Sequence, residues 1–324
     1  MSGLPAWIGG ALGQKLEHVS RAALRERAQA ASEAYRACGT SEIIRSDLDA
    51  LAYAMVRMPA TYAAVRACLT QTTDLLPSDF APESILDIGA GPGTATWASL
   101  ETWPTLRGAA WIDRNAHLLA LGRMLHATPG APQVELAVTA GDFAGALGKG
   151  TPADVVLASY ALTEIPPAQV PALLSRLWEL TGRLLVLIEP GTPHGFKRVL
   201  GYRTQLLAQG AEIVAPCSHH QVCPLAGNPR WCHFGVRLNR TKEHLIIKNA
   251  KVPYEDEKFI YLVAGKGFGP LARGHRVLAT PHVSKTSVTF DLCAPAEVER
   301  RVVARRDKDA YKAAKRYDWA DALP

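Results

Sequence analysis

The 324-residue sequence contains no uncharged apolar run of about 18 residues, the length that a helix needs to cross a bilayer. Its N-terminal stretch is interrupted by Lys15, Glu17 and Arg21 before an apolar segment typical of a cleavable signal is complete. Internal repeats and low-complexity tracts are also lacking. We therefore expect no membrane association, and a location in a bacterial cytoplasm or an organelle matrix.

Cysteine is scarce, and no two cysteines form a C-x-x-C step. Six cysteines in a chain of this size do not indicate the disulfide framework of a small secreted domain. Four of them lie in the second half of the chain: Cys217, Cys223, Cys232 and Cys293. Thiolates are soft ligands that select iron–sulfur clusters or zinc. The four cysteines therefore predict a structural centre, although their spacing matches neither a zinc finger nor a ferredoxin.

The type of centre stays open on the residues alone, because histidine can replace a thiolate at zinc. His219, His220 and His233 lie close to the cysteines in sequence. Cys38 and Cys68 fall in an alanine-rich N-terminal region, where we interpret them as small buried core residues.

Positive charge is concentrated in one part of the chain. The net charge is +6, whereas residues 217–290 contain 11 Lys and Arg against four acids. A basic region beside a set of cysteines is typical of a polyanion-binding surface, because neutralised phosphates release their counterions. We expect contact with a nucleic acid here.

The pattern of apolar residues predicts four segments with different content. Apolar spacings of three and four predict an N-terminal helical region over residues 1–80. Short apolar runs then alternate with helical stretches over residues 81–200, which predicts a parallel sheet with crossover helices. Residues 201–296 form a cysteine-bearing insertion with the final strands, and residues 297–324 form a charged tail.

Within the last two segments, individual elements follow from local pattern. The runs at 244–249, 258–266, 275–280 and 287–293 are interpreted as strands. The tail from Glu297 has mixed charges at helical spacing and is predicted to be helical.

A glycine turn follows the first apolar strand, in the run ILDIGAGPG. Tight strand-to-helix turns without side chains allow backbone amides to approach an anionic ligand at a helix N-terminus. The dinucleotide fingerprint fails, since Thr94 stands where its third glycine would be. The form is instead D-x-G-x-G-x-G, from Asp87 to Gly93.

That form resembles the first motif of class I methyltransferases that use S-adenosylmethionine. The resemblance implies an α/β fold with a Rossmann-like sheet. It also implies a cofactor site formed by Asp87, Gly89, Ala90, Gly91, Gly93, Asp113, Asp142, Ser159 and Tyr160. In this scheme Asp113 holds the ribose hydroxyls, Asp142 lies on the adenine side, and Ser159 and Tyr160 line the tip of the fourth strand.

The acceptor side lacks a recognisable motif. Enzymes that methylate exocyclic base amines typically have an Asn or Asp followed by two prolines and an aromatic residue at the tip of the fourth strand. This chain has Ser159 to Leu162 at that position. Glu164 and Glu189 lie near strand ends and could act as general bases, although a capping or salt-bridge role is the preferred interpretation. The catalytic residues are left unassigned.

A second resemblance covers most of the chain beyond Ser84. The runs 217–234, 254–259 and 291–293 resemble the methyltransferase-like family of mitochondrial small-ribosomal-subunit assembly proteins and their bacterial relatives. The resemblance implies that Cys217, Cys223, Cys232 and Cys293 hold a [4Fe-4S] cluster, with zinc as the alternative. It also implies small-subunit rRNA as the partner, and a mitochondrial matrix location if the source is eukaryotic.

Two functions are consistent with these features. One is a monomeric assembly factor with a cysteine-rich, β-rich lobe that binds rRNA and carries S-adenosylmethionine. The other is an active rRNA methyltransferase with a structural cluster or zinc. Radical chemistry is disfavoured because the compact three-cysteine motif of radical enzymes is missing.

Overall fold

The structure is a computed structural model that describes residues 3–36, 41–148, 151–268, 274–295 and 297–324. The chain forms two compact units, each built from separate segments. The first unit comprises Met1–Thr70, Ala81–Val186 and Gly235–Glu257, and the second comprises Gln71–Phe80, Leu187–Phe234 and Lys258–Pro324. The four consecutive segments drawn from the sequence stay a prediction.

Helices and strands alternate through the middle of the chain. The helices are α1 Ala6–Leu16, α2 Arg21–Arg36, α3 Asp47–Val56, α4 Met58–Thr73, α5 Thr94–Thr102, α6 Ala116–His126, α7 Phe143–Leu147, α8 Val170–Leu180, α9 Pro193–Ala208, α10 Lys242–Lys248 and α11 Lys308–Ala314. The strands are β1 Ser84–Ile88, β2 Gly108–Asp113, β3 Glu135–Ala140, β4 Ala153–Ser159, β5 Thr181–Pro190, β6 Glu212–Ala215, β7 Phe234–Asn239, β8 Tyr254–Gly265, β9 His275–Val277, β10 His282–Val283, β11 Ser287–Cys293, β12 Val298–Ala304 and β13 Ala322–Leu323.

The N-terminal region is helical, as the apolar spacing predicted. Ser46 begins α3, where its hydroxyl accepts a hydrogen bond from the amide of Asp49. Tyr62 and Cys68 of α4 are fully buried. Cys68 is therefore a core residue, whereas Cys38 lies outside the described residues.

The sheet of the first unit has the strand order β3-β2-β1-β4-β5. β1 lies between two parallel partners, since Ile85 is in register with Ala109 of β2 and with Val155 of β4. Strands buried on both faces form continuous apolar runs, which is why the sequence predicted a parallel sheet. The α/β fold class with a Rossmann-like sheet is confirmed.

The second unit contains the end of β5 and two further β structures. β8 lies next to β5 in the sheet, and β6 pairs antiparallel with β8. A separate five-stranded sheet has the order β10-β11-β9-β13, and β12 pairs with β11 along its length. One face of this sheet packs Val288, Phe290 and Leu292 against Ala314 of α11.

Two local predictions are wrong. Residues 244–249 form the helix α10 and not a strand, because the Thr241 hydroxyl accepts from the amide of His244 and Asn249 ends the helix at a φ of 50°. The start of the tail forms the strand β12 and not a helix, because its residues pair with β11 from Val298 to Ala304. Cross-strand pairing outweighs a weak helical spacing here.

Candidate functional site

The glycine turn connects β1 to α5 within the first unit. Gly89, Gly91 and Gly93 have φ values of 69°, 53° and 78°, in the left-handed region that favours glycine. A Cβ on Gly89 would lie 2.4 Å from the Cβ of Ala161, and one on Gly93 would lie 2.2 Å from the indole of Trp111. The turn therefore requires glycine for its own packing.

The backbone amides of the turn are used within the protein. The amides of Gly89 and Ala90 both donate to the carbonyl of Ile112, at 2.8 and 3.3 Å. The amide of Gly93 donates to the carbonyl of Ala90. A ligand at this turn would thus be held mainly by side chains.

Asp113, at the end of β2, is the side chain best placed for that role. It is only 7% exposed, and its two carboxylate oxygens accept from the amides of Gly91 and Asn115 at 2.8 and 2.7 Å. Burial raises the pKa of Asp113, while these two amides act in the opposite direction. A carboxylate has about four acceptor positions, so capacity remains for a hydroxyl donor.

Two buried hydroxyls near the turn have no partner. Oγ1 of Thr94 and Oγ of Ser159 make no hydrogen bond to any residue that the structure describes. Unpaired buried polar atoms are rare in native proteins and often mark a ligand or water position. Ser159 thus lies where the sequence placed it, at the end of β4.

Asp87 and Asp142 have local partners. Oδ2 of Asp87 accepts from the amide and the hydroxyl of Thr96, which joins the end of β1 to α5. Burial raises the pKa of Asp87 to about 7. Asp142 begins α7, where its Oδ1 accepts from the amide of Gly145 at 2.7 Å.

A polar pocket of about 350 Å³ opens beside the turn that follows β2. Its lining comprises Ser41, Glu42, Ile44, Arg45, Arg114, Asn115, Ala116 and His117. Glu164 lies nearby and accepts from the amide and hydroxyl of Ser41 and from Arg114. Glu164 is thus in a salt-bridge and hydrogen-bond network, as preferred from the sequence.

Tyr160 occupies the tip of the fourth strand in a left-handed conformation, with a φ of 58°. Its hydroxyl donates to Oε1 of Glu257 at 2.9 Å, and Glu257 also pairs with Arg57 at 3.6 Å. Burial acts to lower the pKa of Arg57, but Glu257 and Tyr160 more than compensate and raise it. Arg57 comes from a remote segment without a motif. Glu257 lies in the run 254–259, which was noted for its resemblance but not for a contact with Tyr160.

The four cysteines of the second unit line one cavity. Cys217, Cys223 and Cys232 lie on the segment between β6 and β7, and Cys293 ends β11. None of the four forms a disulfide. The cavity measures about 40 Å³ and its accessible lining is almost wholly apolar. The sequence prediction that these distant cysteines come together is consistent with this geometry.

The thiols are electrostatically coupled inside this apolar site. Burial raises the pKa of Cys232 well above its usual value, and Cys217, Cys293 and Cys223 raise it further. Burial likewise raises the pKa of Cys293 to about 12. Thiolates therefore require a nearby positive charge in order to exist in this cavity.

Two buried arginines line the same cavity. Arg203 donates to the carbonyls of His219 and Gln221 at 2.8 and 2.7 Å, and Arg276 donates to the carbonyl of Pro216 at 2.9 Å. Arg203 is 5% exposed, and its Nε has no hydrogen-bond partner within the described ranges. Neither arginine was singled out from the sequence, since both lie outside the cysteine motif.

The histidines differ in their distance from the thiols. Nε2 of His219 lies 3.7 Å from Sγ of Cys293. His220 contacts the backbone of Ile213, and His233 stacks on Trp231. Across the described residues, no three His, Cys, Asp or Glu side chains converge closely enough to hold one metal ion.

Glu189, the second acid considered from the sequence, is buried in the second unit. It accepts from the hydroxyl of Tyr202 at 2.8 Å and pairs with Arg198 at 3.4 Å. Burial raises its pKa, and Arg198 opposes this shift. The salt-bridge interpretation of Glu189 agrees with these contacts.

Within the described ranges, no helix is long and apolar enough to cross a bilayer.

Sequence comparisons connect these features to a known group of proteins. A sequence model of the Rsm22 family, described as mitochondrial small ribosomal subunit Rsm22, matches residues 47–324. The chain belongs to this family. The matched range contains the glycine turn and all four cysteines of the cavity. The resemblance inferred from the cysteine-containing runs is confirmed.

Curated relatives of this Rsm22-family chain include two mitochondrial proteins. The human ribosome assembly protein METTL17, mitochondrial, is 28% identical over 296 residues, which cover 85% of this chain and 62% of the human protein. Rsm22-cox11 tandem protein 2, mitochondrial, of Schizosaccharomyces pombe is 28% identical over 335 residues, which cover 86% of this chain and 43% of that protein. The chain therefore spans roughly two-fifths to three-fifths of the length of these relatives.

Solved methyltransferase structures also align with the chain. Magnesium protoporphyrin IX methyltransferase from Synechocystis PCC 6803 with bound SAM has a TM-score of 0.41 and 12% identity, covering 73% of this chain and 91% of that one. Precorrin-6y C5,15-methyltransferase from Geobacter metallireducens has a TM-score of 0.42 and 13% identity, covering 63% and 89%. The fold assignment rests on the strand order, because both TM-scores are low.

Proposed function

We propose that this chain is an assembly factor of the small ribosomal subunit that binds S-adenosylmethionine, a [4Fe-4S] cluster and small-subunit rRNA. Membership of the Rsm22 family supports the ribosomal role, as does similarity to a human protein named for ribosome assembly. The chain covers only 62% of that protein, so the activity of the whole relative enters here as part of the proposal.

The observation that carries the proposal is the cavity lined by Cys217, Cys223, Cys232 and Cys293. A single zinc ion with Zn–S bonds of about 2.3 Å needs its sulfurs only about 3.8 Å apart. A four-iron cluster takes one thiolate at each iron, so its ligands are farther apart. Four thiols around one cavity can supply one thiolate to each iron, which supports the cluster.

The charges around the cavity also support a [4Fe-4S] cluster. A cluster held by four thiolates is anionic, and buried anions require compensating charge or hydrogen bonds. The guanidinium groups of Arg203 and Arg276 line the cavity, and Nε of Arg203 is available as a donor to a ligand sulfur. When bound, the cluster would supply a covalent link between the β6–β7 segment and β11.

Metal analysis after anaerobic purification tests this part of the proposal. We expect about four irons and four sulfides per chain, little zinc, and a visible absorption band that is lost in Cys232→Ala. Cys68→Ala is the control, because Cys68 is a buried cysteine that lies outside the cavity. Stoichiometric zinc without iron in the wild-type protein would overturn the cluster assignment.

The first unit supports binding of S-adenosylmethionine. The carboxylate of Asp113 retains acceptor capacity for the ribose hydroxyls, and the unpaired hydroxyls of Thr94 and Ser159 offer polar contacts close to the glycine turn. Asp142 would contact the adenine side, and Asp87 would act indirectly by holding β1 against α5. Calorimetry with S-adenosylmethionine, comparing wild type with Asp113→Ala, measures this binding directly.

Binding without methyl transfer fits the tip of the fourth strand. The hydroxyl of Tyr160 donates to Glu257, and Glu257 is paired with Arg57. A tyrosine and a carboxylate engaged in this way are not available as general bases unless the network opens. We therefore propose that S-adenosylmethionine acts mainly as a ligand that stabilises the fold.

An active rRNA methyltransferase is the second candidate, favoured by the unpaired hydroxyl of Ser159 beside Tyr160. Correct placement of an acceptor against the sulfonium would be the main catalytic device. Radiolabelled S-adenosylmethionine incubated with precursor small subunits tests it, with Asp113→Ala as the comparison. Absence of label in the RNA from the wild-type reaction would reject this function.

Location and oligomeric state stay predictions. The curated relatives are named as mitochondrial proteins, whereas the sequence pattern favoured a bacterial cytoplasm. We expect the free chain to be a monomer that cosediments with small-subunit precursors. Light scattering measures the oligomeric state of the free chain. Gradient sedimentation with purified precursor particles measures the cosedimentation.

A further inference from the structure

The C-terminal segment carries a dense set of exposed cations. Residues 300–316 contain eight Lys and Arg and only two acids, Asp307 and Asp309. Among these cations, Arg305, Arg306, Lys308, Lys312 and Lys315 are all exposed. The sequence prediction of a nucleic-acid surface concerned residues 217–290, so this segment was not part of it.

Local contacts bring another cation to the same place. The guanidinium of Arg305 donates to the carbonyl of Lys285 at 3.3 Å, and its amide donates to the carbonyl of Thr286 at 2.8 Å. The hydroxyl of Tyr311 donates to the carbonyl of Ser284 at 2.9 Å. The turn before β11 is thus fixed against the end of β12 and against α11. We call Lys285, Arg305, Arg306, Lys308, Lys312 and Lys315 the basic ridge.

Core packing determines which side of this structure is covered. Val288 and Phe290 of β11 pack with Ala314 and Leu323, and Tyr311 packs against the same cluster. The apolar side of α11 therefore packs against this face of the sheet. Its lysines are left on the outer surface, where Lys308, Lys312 and Lys315 are exposed.

The basic ridge differs from the basic residues of 235–257 in the first unit. There, Arg237 makes a bidentate pair with Asp256 at 2.6 and 2.7 Å, and Arg240 and Lys248 both pair with Glu255. Within the part of the chain that the structure describes, no residue of the ridge belongs to an ion pair. The charge of the earlier segment is largely neutralised internally, whereas that of the ridge is not.

We infer that the basic ridge is the surface that docks on the phosphate backbone of RNA. Adjacent like charges repel one another, and a polyanion relieves this repulsion by replacing several counterions at once. The ridge offers six cations and few hydrogen-bonding groups shaped for bases, so it contributes affinity rather than sequence selection. This inference rests on the proposed rRNA binding and assigns it to a defined surface.

A salt titration tests the assignment. The ridge variant combines Arg305→Gln, Arg306→Gln, Lys312→Gln and Lys315→Gln. The control combines Lys15→Gln, Arg123→Gln, Lys242→Gln and Lys251→Gln, which removes the same charge from exposed positions of the first unit. Binding of a fluorescent small-subunit rRNA fragment is measured by anisotropy at several salt concentrations, after melting curves have shown that both variants are folded.

The two variants should separate clearly. Removing four phosphate contacts should reduce the slope of log K against log salt by about 3 and weaken binding at low salt by at least about tenfold. The control should keep the wild-type slope. Equal slopes for the ridge variant and the control would overturn the assignment.

Two further outcomes distinguish this inference from its basis. Wild-type protein that fails to bind the fragment at any salt concentration would count against rRNA binding as a whole, and the ridge assignment would fall with it. Vesicles of phosphatidylcholine with phosphatidylserine provide another arm. Loss of vesicle binding in the ridge variant with unchanged RNA binding would assign the ridge to lipid and overturn the RNA docking.

Discussion

The glycine turn and the cysteine cavity use their polar groups in different ways. The amides at Gly89, Gly91 and Gly93 all donate to protein acceptors, so the turn is complete without a ligand. In the second unit, four thiols line one cavity and Nε of Arg203 has no partner in the described structure. The turn is thus packed without a ligand, whereas the proposed cysteine centre would contribute to the fold of the second unit.

Removing one cysteine ligand should produce the largest effect. We expect Cys232→Ala to destabilise the second unit by on the order of 5 kcal/mol, because binding of a structural metal centre is folding free energy. Hydrogen exchange should show lost protection in β11 and the 217–232 segment, with little change in β1 and β2. Cys68→Ala, which removes a buried thiol outside the cavity, should cost about 2 kcal/mol or less and leave the iron content unchanged. Uniform loss of protection over both units would contradict the comparison.

Asp87 should give the next largest effect, seen as a dependence of stability on pH. Its pKa rises from 3.8 in the unfolded chain to about 7 in the folded state, chiefly through burial. The folded state therefore binds the extra proton between these values, and stability falls as pH rises through this window, by on the order of 4 kcal/mol in total. Asp87→Asn should remove this fall.

Thermal melting from pH 4 to pH 8 measures that difference. Above pH 7 the Asn variant should be the more stable protein, and near pH 4 the two should converge. A constant difference between wild type and Asp87→Asn at every pH would show that folding does not raise the pKa of this carboxyl.

Replacing Arg203 should have a smaller effect on the cavity. Arg203→Met loses the bonds to the carbonyls of His219 and Gln221 and the charge beside the thiols. We expect Arg203→Met to lower the free energy of unfolding by about 2 kcal/mol. Iron should also pass from the cluster to a chelator faster in the variant than in the wild type. Arg203→Lys retains the charge but cannot reach both carbonyls, and should give an intermediate rate. Identical rates in all three proteins would contradict a role at the cavity.

Removing Asp113 should have the smallest effect on the fold. Asp113→Ala loses the bonds to the amides of Gly91 and Asn115, and a carboxylate acceptor for the ribose. We expect binding of S-adenosylmethionine to weaken by about 1.5 kcal/mol, or roughly tenfold, without change in the iron content. A loss of iron in this variant would show that the two sites depend on each other.

Much of the fold could be predicted from the sequence because its signals are local. The run from Ile85 to Ile88 is apolar apart from Asp87, which predicts a buried parallel strand, and β1 is one. The segment at 244–249 was mispredicted because a short apolar run is compatible with a strand or a helix. Only the caps at Thr241 and Asn249 decide for the helix α10.

By itself, the sequence determined which residues are candidates to bind ligands. The order Asp87, Gly89, Gly91 and Gly93 identifies the turn because the pattern is contained in seven consecutive residues. Tertiary structure alone decided what surrounds them. Arg203 reaches the cysteine cavity, and Glu257 reaches Tyr160, from positions far along the chain. Charge pairing and burial act through space, so residues far apart in the sequence came to line each site.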